Sequence, residues 1–376
     1  MSVFFMVLGL LLFVLLVVVH EFGHFIMARR NDVDVEEFGI GFPPKAKTIT
    51  KKKGTEYTLN WLPLGGFVKL KGEHDEDKAK GSYGAASLWT KTKIIGAGVA
   101  MNLFVAILMF TLLAIIGMPK LIDNQFTVAS DTKVIKNSVL VGAIEENSPA
   151  SSAGLQSRDQ LKTISLANGE ESMQINNAKD LPEATKKFAG QEVKITYVRE
   201  GQSNTTQTTL RSTEEVEKSK STDDPKGYLG VVPAEFTLQR STWSAPIVGL
   251  GITKQFTQLT LSGLGSIVSG LFRGDTQKAT SQVSGPVGVF VLIKEGSKLG
   301  LQFILMIIAV ISLTLAIMNI LPIPALDGGR LFVTYLFRIM KKPLTAKTED
   351  MIHGIGFAVL MLLFVLITVV DVKRFF

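Results

Sequence analysis

Four apolar runs without a charged residue, at residues 3–19, 94–118, 301–321 and 355–370, constrain this chain more than any other feature. Each approaches the roughly 20 residues a helix needs to cross a bilayer core of about 30 Å. In lipid only helices and closed barrels satisfy their own backbone, and continuous apolar runs fit helices. The expected architecture is therefore a multi-pass α-helical membrane protein with about four transmembrane helices. Composition agrees, with 46% hydrophobic residues and a mean hydropathy of +0.29 over 376 residues. Length alone suggests two or three domains, but a soluble chain would carry less apolar sequence. The first run has no basic segment before it and no small-residue cleavage site after it, so it is read as a span rather than a signal peptide.

The formal net charge of +7 raises nucleic acid as a partner, but the basic residues lie where membrane topology explains them. Arg29, Arg30, Lys45, Lys47, Lys51, Lys52 and Lys53 follow the first run. Arg338, Lys341, Lys342 and Lys347 separate the third from the fourth. The positive-inside rule places both segments in the cytoplasm. An even number of spans then leaves both termini and residues 121–299 on the outer side, although Lys373 and Arg374 oppose that orientation. A lipid bilayer is the expected partner, and nucleic acid is not. Cysteine is absent, which excludes disulfides and thiolate metal sites.

The segments between the runs divide further. Residues 56–70 read as two short strands around a Pro-Leu-Gly-Gly turn, a hairpin spanning residues 55–72. Its apolar content suits either a re-entrant hairpin beside a buried site or a peripheral one. Residues 125–232 alternate polar and apolar positions and read as a small inserted α+β domain. Its strands are expected at residues 139–146, 161–166, 193–198 and 207–211. Helices are expected after Ser148, closed by Gly154, and at residues 181–188. Residues 214–226 read as a flexible linker. Within an amphipathic region of residues 233–300, residues 243–272 read as helices at the membrane surface, with a fifth span left open. The membrane core thus comes in two parts, residues 1–120 and 301–376.

Chemistry enters at His20-Glu21-Phe22-Gly23-His24. On a helix, positions i and i+4 share a face about 6 Å apart along the axis, so two imidazoles can hold one zinc beside a glutamate base. Ionisable residues at the end of a lipid-spanning helix are costly and point to function. A polar cluster at the headgroups is the alternative. A catalytic zinc needs a third protein ligand. His74 sits in a charged loop and His353 before the last run, neither within a motif. The better candidate is Asp327, where Pro322, Pro324, Gly328 and Gly329 break the third run. Broken helices in membranes line protein or water, although Asp327 could also serve as a helix cap.

Together these motifs resemble the site-2 protease family of intramembrane metalloproteases. The likeness rests on residues 20–24 closing the first span and on residues 319–329, Asn-Ile-Leu-Pro-Ile-Pro-Ala-Leu-Asp-Gly-Gly, in a later one. Gly98-Val-Ala-Met-Asn102 is similar to that family's small-residue-to-asparagine pattern, and residues 284–288 resemble the segment before its third span. The hairpin looks like its membrane-associated β-loop. The resemblance implies Zn2+ held by His20, His24 and Asp327, with Glu21 as general base. It implies that Asn319 holds substrate backbone or stabilises the oxyanion. Substrate contact is further expected at Pro322 and Pro324, and at Gly65, Gly66 and Phe67 of the hairpin.

Residues 147–155 and the strand after them resemble a PDZ domain, with Arg158-Asp159 where Gly-Asp is common. The stretch similar to a peptide-binding loop, Gly227 to Val231, follows this core instead of preceding it, as in a circular permutation. Tyr228, Leu229, Gly230 and Val231 either bind a peptide end by strand addition or form an ordinary strand.

The expected activity is that of a zinc metalloendopeptidase cutting membrane-spanning segments of other proteins, such as anti-sigma factors or signal-peptide remnants, after an earlier cut by another protease. The resemblance implies the bacterial cytoplasmic membrane, with the PDZ-like domain outside and the zinc site towards the cytoplasm. One rival is a catalytically silent PDZ-bearing membrane scaffold, which would have no need of all four site residues. A transporter is the other, but no internal repeat is visible.

Overall fold

The structure is a computed structural model that describes residues 2–222, 224–273 and 285–375. Ser284 of the 284–288 motif, and residues 274–283 of the amphipathic region, lie outside the described residues. The chain forms two compact units, one of residues 1–116, 126–128 and 243–376, the other of residues 117–125 and 129–242.

In the first unit, helix α1 (Ser2–Arg30) continues the first apolar run unbroken through His20 and His24. Its β-branched stretch at residues 17–19 is a weak helix former, but lipid offers its backbone no other partner. Arg29 and Arg30 close the last turn, where the helix dipole favours cations. Strands β1 (Val35–Lys52) and β2 (Thr55–Leu70) then pair through a turn at Lys53 and Gly54, both at positive φ (50° and 82°).

The two halves of β2 are not mates across the Pro-Leu-Gly-Gly stretch, contrary to the sequence expectation. They flank β1, so that Phe38 is in register with both Val68 and Tyr57, and Gly39 with both Phe67 and Thr58. Pro63 has no N–H for a ladder. Gly39 leaves the space into which the Phe67 ring packs, so a Cβ there would collide with it. The segment 66–70 becomes an edge whose outer side has no strand partner among the described residues.

Helix α2 (Leu88–Ile116) starts where Ser87 Oγ accepts from Thr90 N at 3.1 Å. It packs closely on α1 through Gly23, whose added Cβ would stand 2.5 Å from the Ala97 carbonyl oxygen. Small residues let membrane helices approach in this way. Lys91 is fully buried and gives its ammonium to Asp75 and to the Gly84 carbonyl, tying residues 71–87 to α2.

The second unit is an antiparallel sheet with short helices. Its elements are β3 (Met118–Pro119), β4 (Lys133–Ile144), α3 (Pro149–Ser152), β5 (Gln160–Leu166), β6 (Ser172–Gln174), α4 (Asp180–Lys187), β7 (Glu192–Arg199), β8 (Gln202–Thr209), α5 (Thr213–Ser219) and β9 (Val231–Arg240). The strand order is β3-β9-β4-β5-β7-β8, with β6 on β5. Val139 and Val141, then Val193 and Ile195, fall on alternate positions of their strands and are fully buried, with Leu181 and Phe188 packed into the same core.

Helix α5 takes in residues 214–219 of the segment expected as a linker. Ser212 and Glu215 form a capping box, Glu214 and Lys218 pair at 3.0 Å, and Val216 is buried. A charged composition concealed a start signal that lies in the spacing. Arg158 adopts φ 76°, the left-handed conformation that glycine favours, while Arg199 holds the buried Asp159 carboxylate at 2.6 and 2.7 Å. Strand β9 carries the unit past residue 232.

The first unit resumes with α6 (Ala245–Arg273), α7 (Pro286–Gly296), α8 (Leu301–Ile320), α9 (Asp327–Ile339) and α10 (Ala346–Phe375). Among the described residues, four helices are long and apolar enough to cross a membrane: Val3–Arg30, Leu88–Ile116, Leu301–Ile320 and Ala346–Phe375. These make it a multi-pass membrane protein. Helix α8 is the most enclosed of the four, with 56% of its apolar window buried, and the site is built at its end.

Candidate metal centre

Three helices converge here. His20 and His24 lie one turn apart on α1, and both are buried. Helix α8 stops at Ile320, and the prolines turn the chain through residues 321–326 so that Asp327 begins α9. The turn is held tight: Ala325 adopts φ 78°, and a Cβ on Gly328 or Gly329 would strike the carbonyls of Ile320 or Ile323.

His20 Nε2 and His24 Nε2 are 3.1 Å apart, and Asp327 Oδ2 lies 3.0 and 3.3 Å from them. Donors around a tetrahedral zinc at about 2.0–2.1 Å stand about 3.3 Å from one another. Asp327 Oδ2 is buried yet makes no hydrogen bond. Three lone-pair atoms pointed at one spot repel one another unless a cation lies between them. Two imidazoles and a carboxylate are a donor set that can hold a catalytic zinc, which also needs one open position.

The imidazoles are held from behind. His24 Nδ1 donates to the Ile94 carbonyl at 2.8 Å, which leaves Nε2 unprotonated and facing the site. His20 Nδ1 meets the Asn102 amide at 3.1 Å, and Asn102 in turn is fixed where its carbonyl accepts from Ser312 Oγ at 2.8 Å. Gly98 gives the rings room, since a Cβ there would stand 2.5 Å from His24 Nε2 and 2.7 Å from His20 Cε1.

Of the other residues expected at the site, Asn319 brings Nδ2 to 3.5 Å from His20 Nε2. Glu21 follows His20 on α1, and its Cγ lies 3.6 Å from where a Gly66 Cβ would be, so the 66–70 edge reaches the glutamate. Gly65 lies against the Phe42 ring, Phe67 over Gly39, and Pro322 and Pro324 within the turn before Asp327. Tyr228 to Val231 belong to the other unit.

Other supports have no motif. His353 Nδ1 accepts from Ala325 N at 3.1 Å, and Gly356 packs on Pro324, so α10 braces the turn. Arg330, one turn after Asp327, donates to the Glu73 carbonyl at 2.6 Å and stands 4.7 Å over the Tyr83 ring, whose burial pushes the phenol pKa up. A cavity of about 650 Å³, lined by Glu36, Lys69, Glu73, Arg330 and His353 among others, opens beside Asp327.

The sequence matches a known family, described as peptidase family M50, over residues 8–363. The chain belongs to peptidase family M50. This is the site-2 protease family that the motifs resemble. A Clostridium perfringens protein bearing a zinc metalloprotease name is 30% identical over 98% of each chain. The zinc metalloprotease RasP of Shouchella clausii is 29% identical over 97% of this chain and 98% of its own. The regulator of sigma-W protease RasP of Bacillus subtilis is 26% identical over 98% of each. As an M50 peptidase with four candidate spans, the chain is a membrane protease, and zinc is the cofactor its His–His–Asp group fits.

Proposed function

We propose that this M50 peptidase cleaves membrane-spanning segments of other proteins, with His20, His24 and Asp327 as the zinc ligands and Glu21 as general base. The observation that carries the reading is that Asp327, at the start of α9, meets two buried histidines on a helix long enough to cross a bilayer. Bound there, zinc supplies a Lewis acid for the scissile carbonyl and brings the pKa of water to about 7. Glu21 takes a proton from the attacking water on its carboxylate and returns it to the leaving nitrogen. The Asn319 amide donates to the substrate carbonyl as it gains charge.

A helical substrate hides its carbonyls and must unwind. The free 66–70 edge, with Gly65, Gly66 and Phe67, takes the extended segment as an added strand, while Pro322 and Pro324 border its path. Substrates of the class suggested by the sigma-W name, membrane-anchored regulators such as anti-sigma factors, or signal-peptide remnants, fit this chemistry.

The second unit acts as a permuted PDZ-like domain on the extracytoplasmic side, admitting substrates already cut by another protease, with the zinc site towards the cytoplasm. Two features support that reading. The 227–230 loop runs directly into β9, and the backbone N–H of Ala178, just before α4, donates to Glu235 of β9 at 2.5 Å. A chain end would add to β9 beside Tyr228 to Val231.

Zinc content tests the ligand set. The purified parent is expected to hold about one zinc per chain, and Asp327→Ala almost none. A zinc-free parent would overturn the reading. Asn102 should tune the same affinity: with its amide oxygen turned to His20 Nδ1–H, it leaves Nε2 unprotonated, as Ile94 does for His24. Asn102→Leu is expected to weaken zinc about 10–100-fold in chelator competition, with Asn102→Asp restoring most of it. Parent affinity in the leucine variant would remove that role.

A further inference from the structure

The last two turns of α1 carry Phe25, Arg29 and Arg30, and the β1–β2 hairpin sets Lys52, Lys53 and Tyr57 against them around a cavity of about 370 Å³. The floor is aromatic, with Phe25 and Tyr57 edge to face at 6.0 Å between ring centres. Four cations form the rim. Arg29 Nη1 donates to the Lys53 carbonyl at 2.8 Å, which ties the two walls together and sets the spacing of the charges.

Among the described residues, none of these four has a carboxylate within salt-bridge distance. Glu56 is occupied elsewhere, accepting from Thr48 and pairing with Lys45 and Lys51. Cations spread around a helix end would need only water. Here they converge on one concave site, where their mutual repulsion is relieved by an anion. The negative end of the α1 dipole offsets only part of that charge.

We propose that this cavity binds the phosphate head group of an anionic membrane lipid. Its position favours lipid over a soluble phosphate, because α1 is a candidate span and the cavity lies at the span's end. An apolar lane also leaves the cavity: Phe22 stacks on Phe25 at 6.1 Å and is 43% exposed, a surface along which an acyl chain can lie. Arginines suit phosphate oxygens bidentately, and basic pockets beside membrane helices take anionic head groups. This site is separate from the proposed zinc ligands and stands whether or not their assignment does.

The test uses the full chain in a neutral detergent and measures binding of phosphatidylglycerol and phosphatidylcholine by native mass spectrometry. Phosphatidylglycerol is expected to bind, and phosphatidylcholine much more weakly. Each lost cation should weaken phosphatidylglycerol about fivefold, so Arg30→Gln with Lys52→Gln should do so about 25-fold. The thermal midpoint, read on the same samples, is expected to stay at the parent level and shows that the variant is folded. Equal binding of the two lipids overturns the proposal, as does a folded double variant that binds like the parent. Displacement of the lipid by equimolar glycerol phosphate would make the site one for soluble phosphate and overturn it too.

Discussion

Replacing Glu21 by glutamine is expected to lower cleavage of a membrane-spanning peptide by about 10³-fold while zinc stays bound. Neighbours on a helix point about 100° apart, so Glu21 cannot share the face of His20 and His24, and it lies outside the His–His–Asp group. Its removal should leave the metal in place. Glutamine keeps the size and the hydrogen-bonding reach but cannot accept the proton of the attacking water. Single-turnover cleavage in detergent, with zinc measured on the same sample, reads both quantities. Equal cleavage by parent and variant would refute the assigned base, and loss of zinc would instead recast Glu21 as a metal-site residue.

The second large effect is expected at Gly98, which no ligand pattern marks as essential. A single added carbon would already stand 2.5 Å from His24 Nε2 and 2.7 Å from His20 Cε1. A valine cannot be housed unless both rings swing away or α1 and α2 separate. Overpacking of this kind costs roughly 1–3 kcal/mol, and displaced ligands lose the metal as well. Gly98→Val should therefore purify with little zinc and a lowered thermal midpoint. Gly96→Ala on the same helix is the control, since its Cβ would meet nothing within 4 Å and zinc should be unchanged. Parent zinc content in Gly98→Val would show that the rings do not depend on this gap.

These two cases differ in how they could be foreseen. Glu21 is a candidate in the sequence because its spacing from two histidines has a direct chemical meaning on a helix. The four spans were legible because lipid allows a long apolar run few other conformations. Asp327 stood out through the prolines and glycines that break its run. Gly98 and Asn102 lay in a recognisable stretch, but nothing local says that one makes room for two imidazoles and the other meets His20 Nδ1. His353 has no motif around it, yet it accepts from Ala325 N and braces the turn before Asp327. Residues 214–226 read as a linker from composition, but the Ser212–Glu215 capping box starts a helix that runs to Ser219.

By itself the sequence determined the membrane class, the four candidate spans and the four residues on which chemistry was expected, since hydropathy and helical spacing act over a few turns. Only the tertiary structure decided that Asp327 meets His20 and His24, and that both halves of β2 flank β1 so that an edge reaches Glu21. It also decided that four cations share one cavity. Such convergences depend on how closely packed helices can approach and on which glycines leave space between them. Those are properties of pairs of distant segments, and no local pattern encodes them.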